Sequence, residues 1–258
     1  MAKKLEIALV QTELIWENPN KNRNLIEAKI NEMPSQVDLV ILPEMFTTGF
    51  TMKPSVLDKN EGQKTIDWML KIASEKQLAI TGSVAFFEND SYYNRLLFVQ
   101  PNGKIDTYDK RHTFTLAGED KIYKKGSEKL IIDFKGFKIC PLICYDLRFP
   151  IWARNVEDYD ILLYVANWPE VRVKAWDTLL KARAIENMTY CVGVNRVGTD
   201  DTGLKYSGHS AVYDGLGGTL SFSDKNEVIY TTLQKDHIDL IRGKLKFLAD
   251  KDNFTLIE

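Results

Sequence analysis

Apolar residues recur along this chain with two different periods. Short runs rich in Val, Ile, Leu and Phe, closed by Gly, Pro, Asn or Asp, predict strands at 4–11, 37–42, 78–87, 94–100, 104–110, 137–143, 160–165, 190–196, 208–213 and 227–232. Longer stretches with helical spacing predict helices at 19–33, 62–77, 149–157, 173–189 and 234–247. The fourth helix is the best defined, with Val173, Trp176, Leu180, Ala184 and Met188 on one stripe that reads as ordinary core packing. Asp90-Ser91-Tyr92 and Pro101-Asn102-Gly103 are turn chemistry, so 78–110 reads as a meander of hairpins. Gly215-Leu216-Gly217-Gly218 reads as one more hairpin turn. Neither pure strand–helix alternation nor a pure meander fits this order. It suggests helices on the outer faces of two packed sheets. No Gly/Ser/Pro-rich linker divides the 258 residues, which points to a single domain spanning 1–258.

Three predicted strand ends carry reactive groups. The apolar run through Ile143 stops at Cys144, followed by Tyr145-Asp146-Leu147-Arg148-Phe149-Pro150. A buried strand that ends in a sharp turn exposes a thiol near a helix N-terminus, where the helix dipole favours thiolate over thiol. Leu39 to Pro43 end in Glu44, and the strand 104–110 ends in Lys110. Open α/β sheets keep their sites at the carboxyl edges of strands. Each group has a plain structural explanation alone: an inert core thiol, a solvated loop acid and a surface charge. Together they supply a nucleophile, a base and a cation for an oxyanion, which are the needs of acyl transfer. Glu44 and Lys110 are expected in a water-filled cleft, with little part in stability. Pro141 is unusual in a central strand, and a bulge below Cys144 would accommodate it.

Composition narrows the classes. A net charge of −2 with 27% charged residues gives no electrostatic footprint for nucleic acid or an anionic membrane surface. No apolar stretch approaches the ~20 residues of a membrane span, and the N-terminus lacks a signal-peptide core. Three cysteines suggest no disulfide framework and fit a reduced cytoplasm. Cys140 and Cys191 fall inside apolar strands. The histidines His112, His209 and His237 are scattered, and no metal-ligand spacing or dinucleotide motif occurs, so neither a metal nor a cofactor is expected.

Leu42-Pro43-Glu44, Asp109-Lys110-Arg111-His112 and Cys144 to Pro150, together with Ala166-Asn167-Trp168-Pro169 and Lys181 to Asn187, resemble the motifs of the nitrilase superfamily, the carbon–nitrogen hydrolases. The resemblance implies a four-layer α-β-β-α sandwich. It also implies Glu44 as general base, Lys110 as oxyanion cation, Cys144 as thioester-forming nucleophile and Glu119 as a second acid that orients the lysine. Nitrile-acting members typically carry a Cys-Trp-Glu pattern; Cys144-Tyr145-Asp146 points to an amidase instead. Glu44 to Phe50 and Ala166 to Pro169 look most like the bacterial omega-amidases, which hydrolyse 2-oxoglutaramate or 2-oxosuccinamate to the 2-oxo diacid and ammonia. Tyr145, Arg148, Phe46 and Trp168 are the expected substrate contacts, with Arg148 meeting a substrate carboxylate or else capping the turn. Two alternatives stay open: an N-carbamoyl-amide hydrolase with the same catalytic set, and a catalytically silent binding protein. The resemblance further implies a homodimer or larger assembly through 149–158, 173–188 and a tail at about 247–258. Trp152, Trp176, Phe247 and Phe254 would anchor that interface or complete the monomer core.

Overall fold

The computed structural model describes residues 3–256. The first half of the chain forms β1 (Lys4–Gln11), α1 (Pro19–Asn31), β2 (Leu39–Ile41), α2 (Glu61–Lys76), β3 (Ala79–Glu88), β4 (Ser91–Val99), β5 (Ile105–Asp109) and β6 (Tyr123–Lys124). The second half forms β7 (Ile132–Phe134), β8 (Phe137–Ile143), α3 (Pro150–Ala153), β9 (Ile161–Ala166), α4 (Val173–Asn187) and β10 (Tyr190–Asn195). Then follow a hairpin of β11 (Val197–Thr199) and β12 (Lys205–Ser207), then β13 (Ser210–Tyr213), β14 (Thr219–Ser223), β15 (Glu227–Gln234) and α5 (Lys235–Leu245). One sheet runs β15-β1-β2-β3-β4-β5, with β6 beside β4, and the other runs β14-β13-β10-β9-β8-β7. β3, β4 and β5 are the expected antiparallel meander.

Alternation along β1 shows how the layers assemble. Leu5, Ile7 and Leu9 enter the core between the sheets, whereas Ala8 and Val10 join Ile26 and Ile30 of α1 and Met69 and Ile72 of α2. Period-two side chains thus feed two cores from one strand. On the second sheet, α4 lies so close to β10 that a Cβ on Gly193 would fall 2.4 Å from Leu180 and 2.8 Å from Trp176. Helix, sheet, sheet and helix stack as an α-β-β-α sandwich.

Three expectations change. The helix at 149–157 stops at Ala153, because the Asn155 side chain accepts from the Tyr159 amide and donates to the Tyr159 carbonyl, closing a turn instead. Pro141 needs no bulge. β8 pairs with β9 without interruption from Ile139 to Ile143, while β7 reaches only Ile139, so Pro141 lies where its strand has an open edge. Trp152 and Trp176, at 7% and 0% exposure, complete the monomer core and cannot anchor an interface, whereas Phe247 and Phe254 are exposed. The end of the expected interface tail, 257–258, lies outside the described residues. Among the described residues no helix is long and apolar enough to cross a membrane, and no three His, Cys, Asp or Glu side chains cluster as metal ligands would.

Candidate active site

The strand ends bearing Glu44 and Lys110 belong to one sheet, and those bearing Cys144 and Asn167 belong to the other. They meet at the rim of the layer between the sheets. Cys144 leaves β8 with φ 45°, a left-handed conformation, and opens a 3-10 turn over Cys144–Arg148. Such a conformation costs a non-glycine residue on the order of 1–3 kcal/mol and persists only where surroundings over-determine it. Here Asp146 does so. One of its carboxylate oxygens accepts from the Ile143 amide at 3.0 Å and the Tyr108 hydroxyl at 2.7 Å. The other meets the His112 amide at 2.9 Å and its Nδ1 at 2.8 Å. Tyr145 stands in the first turn, where amide N–H groups have no partner within the helix and face outward as donors.

Behind the thiol lies a buried ionic cluster. Lys110 Nζ donates to Glu44 Oε1 at 2.8 Å and to Glu119 Oε2 at 2.9 Å, and all three residues are fully buried. Asn94 Nδ2 bridges both carboxylates at 2.8 and 3.0 Å. The Asn167 amide donates to Glu44 Oε2 at 2.8 Å, and the Phe114 amide donates to Glu119 Oε2 at 2.6 Å. The Glu44 carboxylate also acts on the neighbouring Cys144 thiol and favours its protonated form. The water-filled setting expected for Glu44 and Lys110 is therefore corrected: these are desolvated charges held by neighbours on every side. Glu119 is no solvated loop acid either.

Electrostatics follow from this burial. Desolvation alone would lower the Lys110 pKa, but Glu119 and Glu44 outweigh it and hold the ammonium above the ordinary lysine value. Burial raises the Glu119 carboxyl above the usual carboxylate value, with Lys110 opposing and Glu44 reinforcing. Burial, then the negative charge of Glu44, push the Cys144 thiol well above its usual value, against the pull of Lys110. The expectation of a thiolate favoured by a helix dipole fails, since a five-residue 3-10 turn offers little dipole against a desolvated carboxylate. The resting nucleophile is a thiol with its base close by.

The cluster opens on a small cleft walled by aromatic and apolar side chains. Lys110, Cys144, Tyr145, Arg148, Asn167 and Trp168 all line it, as do Phe50, Phe114, Arg172 and Tyr206. Phe46 does not reach it. That ring is fully buried in the core under α2, 6.1 Å from the Trp68 ring and so near β3 that a Cβ on Gly82 would meet it at 2.8 Å. Phe50, four residues on, occupies the place expected of Phe46. Sequence reasoning also missed Asn94, Arg172 and Tyr206. Asn94 sits inside an apolar strand, where a buried amide is a signal in itself. Tyr206 lies on a strand of three residues with no periodicity to read.

A thiol before a buried lysine paired with two glutamates, on an α-β-β-α sandwich, defines a class, and the chain belongs to the carbon–nitrogen hydrolase family, whose sequence model matches residues 6–242. Its relatives include the omega-amidase YafV of Yersinia enterocolitica, 41% identical over 98% of this chain and 99% of the relative. The 2-oxoglutaramate amidase of Bacillus subtilis (strain 168) is 32% identical over 88% of this chain and 89% of its own. Among solved structures, XC1258 from Xanthomonas campestris, a CN-hydrolase superfamily protein with an arsenic adduct in its active site, superposes with a TM-score of 0.95 at 41% identity, covering 98% of this chain and 99% of that one. Nit3 of Saccharomyces cerevisiae, a nitrilase superfamily member, shares the fold with a TM-score of 0.82 at 24% identity over 94% of each chain.

Proposed function

We propose that this chain is a cysteine-dependent omega-amidase that hydrolyses 2-oxoglutaramate or 2-oxosuccinamate to the 2-oxo diacid and ammonia. The observation that carries the reading is that Cys144 opens on the same cleft as the Lys110 ammonium, which Glu44 and Glu119 hold from behind, with two arginines along that cleft. Similarity to omega-amidases over nearly the whole chain supports the substrate class.

In this mechanism Glu44 takes the proton of the Cys144 thiol as sulfur attacks the amide carbon. The oxyanion is held by the Lys110 ammonium and the Tyr145 amide N–H. Glu44 returns the proton to the leaving nitrogen, the C–N bond breaks, and ammonia departs from a Cys144 thioester. Glu44 then takes a proton from water, whose oxygen attacks the thioester carbon, and the thiolate leaves and is reprotonated. One carboxylate alternates as base and acid, which requires it to stay oriented through both halves. The Asn94 and Asn167 donors supply that orientation, and Glu119 fixes the lysine.

The test is a substrate panel read by ammonia release. 2-Oxoglutaramate should be turned over with a higher kcat/KM than glutamine, nitriles or N-carbamoyl amino acids. Faster turnover of a carbamoyl amino acid or a nitrile would replace the omega-amidase reading, and no hydrolysis of any member would indicate a silent binding protein.

We also infer a cytoplasmic homodimer or larger assembly, through 149–158, 173–188 and the tail from about 247. Free cysteines fit a reducing compartment, and Ile151, Phe247, Phe254 and Leu256 are exposed large apolar groups in the expected segments. A monomeric mass by light scattering at micromolar concentration would reject the assembly.

A further inference from the structure

We propose that Arg148 and Arg172 act as a pair that reads the 2-oxo carboxylate end of the substrate, which makes Arg172 a specificity residue; this rests on the omega-amidase reading. Both residues line the cleft. Arg148 reaches it from the turn that begins at Cys144, and Arg172 from the Glu170–Arg172 turn that follows Asn167-Trp168-Pro169. Each lies against an aromatic face, Arg148 with Cζ 5.0 Å from the Trp168 ring centre and Arg172 with Cζ 5.3 Å from the Phe114 ring centre. Stacking holds a guanidinium by its faces and leaves its N–H edge free to donate.

Charge balance points the same way. Other arginines in the molecule pair with carboxylates, among them Arg95 with Asp109 and Arg183 with Glu186. Among the described residues neither Arg148 nor Arg172 has an ion pair. Lys110 is already matched by Glu44 and Glu119, so the two arginines are the uncompensated cations of a cleft whose walls are otherwise mainly apolar. Two unmatched positive charges in one cleft favour an anionic ligand there.

Counting acceptors identifies which ones. A planar guanidinium fork takes two oxygens side by side. A plain carboxylate has one such edge and satisfies one fork. A 2-oxo carboxylate has three oxygens, a carboxylate edge and an edge shared by the oxo group and one carboxylate oxygen, and so satisfies two. An amino acid amide such as glutamine replaces the oxo acceptor with an ammonium, which would face a guanidinium and repel it. Two forks in one cleft therefore match a 2-oxo acid amide better than an amino acid amide or a simple dicarboxylic monoamide. Arg172 is also well placed to hold a fixed position, because its carbonyl accepts from Trp168 Nε1 at 2.8 Å while the Trp168 amide is anchored to Asn195 Oδ1 at 2.8 Å.

The experiment compares 2-oxoglutaramate, glutaramate (the same chain without the oxo group) and neutral butyramide on wild type, Arg148→Ala, Arg172→Ala and the double variant. Wild type should prefer 2-oxoglutaramate over glutaramate by at least about tenfold in kcat/KM, since a site that donates to an oxygen rejects the analogue lacking it. Either single variant should erase most of that preference, chiefly through KM, while turnover of butyramide changes little. The double variant should lose its preference for glutaramate over butyramide as well. A wild-type enzyme that hydrolyses 2-oxoglutaramate while Arg172→Ala keeps the full preference would overturn the pairing, as would an equal loss on butyramide, the mark of a structural role on Phe114. A wild-type enzyme inactive on 2-oxoglutaramate but active on another amide would fail the omega-amidase reading instead.

Discussion

The floor and the mouth of this cleft are built on opposite principles. At the floor Lys110, Glu44 and Glu119 are fully buried, and each carboxylate also accepts from Asn94 and from a backbone amide. At the mouth Arg148 is exposed, Arg172 is half-buried, and both rest on aromatic rings without an ionic partner. The floor satisfies its charges internally, so it is assembled before substrate arrives. The mouth leaves its charges for the substrate to satisfy. Chemistry that must place a proton within a fraction of an ångström uses the first kind of site, and recognition that must exchange water for ligand uses the second.

The comparison breaks most visibly at Lys110. Lys110→Ala should reduce kcat by on the order of 10²–10³, as loss of one oxyanion donor does elsewhere. It should also destabilise the fold by about 3–5 kcal/mol, because two buried carboxylates lose their counter-charge. That corrects the expectation of a small stability effect, and chemical denaturation of the variant measures it. The raised lysine pKa sets the pH window. Its contribution is fully present below the ordinary lysine value of ~10.4 and fades as pH rises through the folded value. Glu119→Gln should cost less activity than Lys110→Ala, because Glu44 still pairs with the ammonium. An Arg148 or Arg172 variant, by contrast, should leave stability near wild type. Normal turnover in Lys110→Ala would remove the oxyanion role.

How much of this difference was legible in the sequence follows from the physics of each part. Glu44, Lys110 and Cys144 stand at the ends of apolar strands, and an abrupt change from apolar to reactive marks a position even in one sequence. Glu119 rested on resemblance alone, since its 3-10 turn has no periodicity. Phe46 and Phe50 could not be told apart, because the chain turns through left-handed Met45 just before the first and Gly49 just before the second, which no two-residue or helical period describes. Burial of the ionic cluster was also out of reach. It depends on Asn94 and Asn167 arriving from two different sheets. The five strands that were not foreseen, β6, β7, β11, β12 and β14, are short or rich in Lys, Ser and Thr, and pairing rather than apolar pattern creates them.

A smaller effect sharpens the account of the floor. Difference absorbance of the thiolate, wild type minus Cys144→Ala, should show no thiolate up to the ordinary thiol value of ~8.5, because burial and Glu44 both hold the proton on sulfur. Glu44→Gln removes that negative charge and should shift the titration downward while abolishing turnover. A thiolate in wild type at neutral pH would mean that Lys110, not Glu44, governs the nucleophile.

The most direct test of the central claim is rapid acid quench of the enzyme turning over 2-oxoglutaramate, followed by intact-mass and peptide mass spectrometry. The account predicts an acyl adduct on the peptide that carries Cys144, absent in Cys144→Ala, whose turnover should fall by on the order of 10⁴-fold or more. An adduct on Cys140 or Cys191, with Cys144→Ala still hydrolysing the amide, would contradict it.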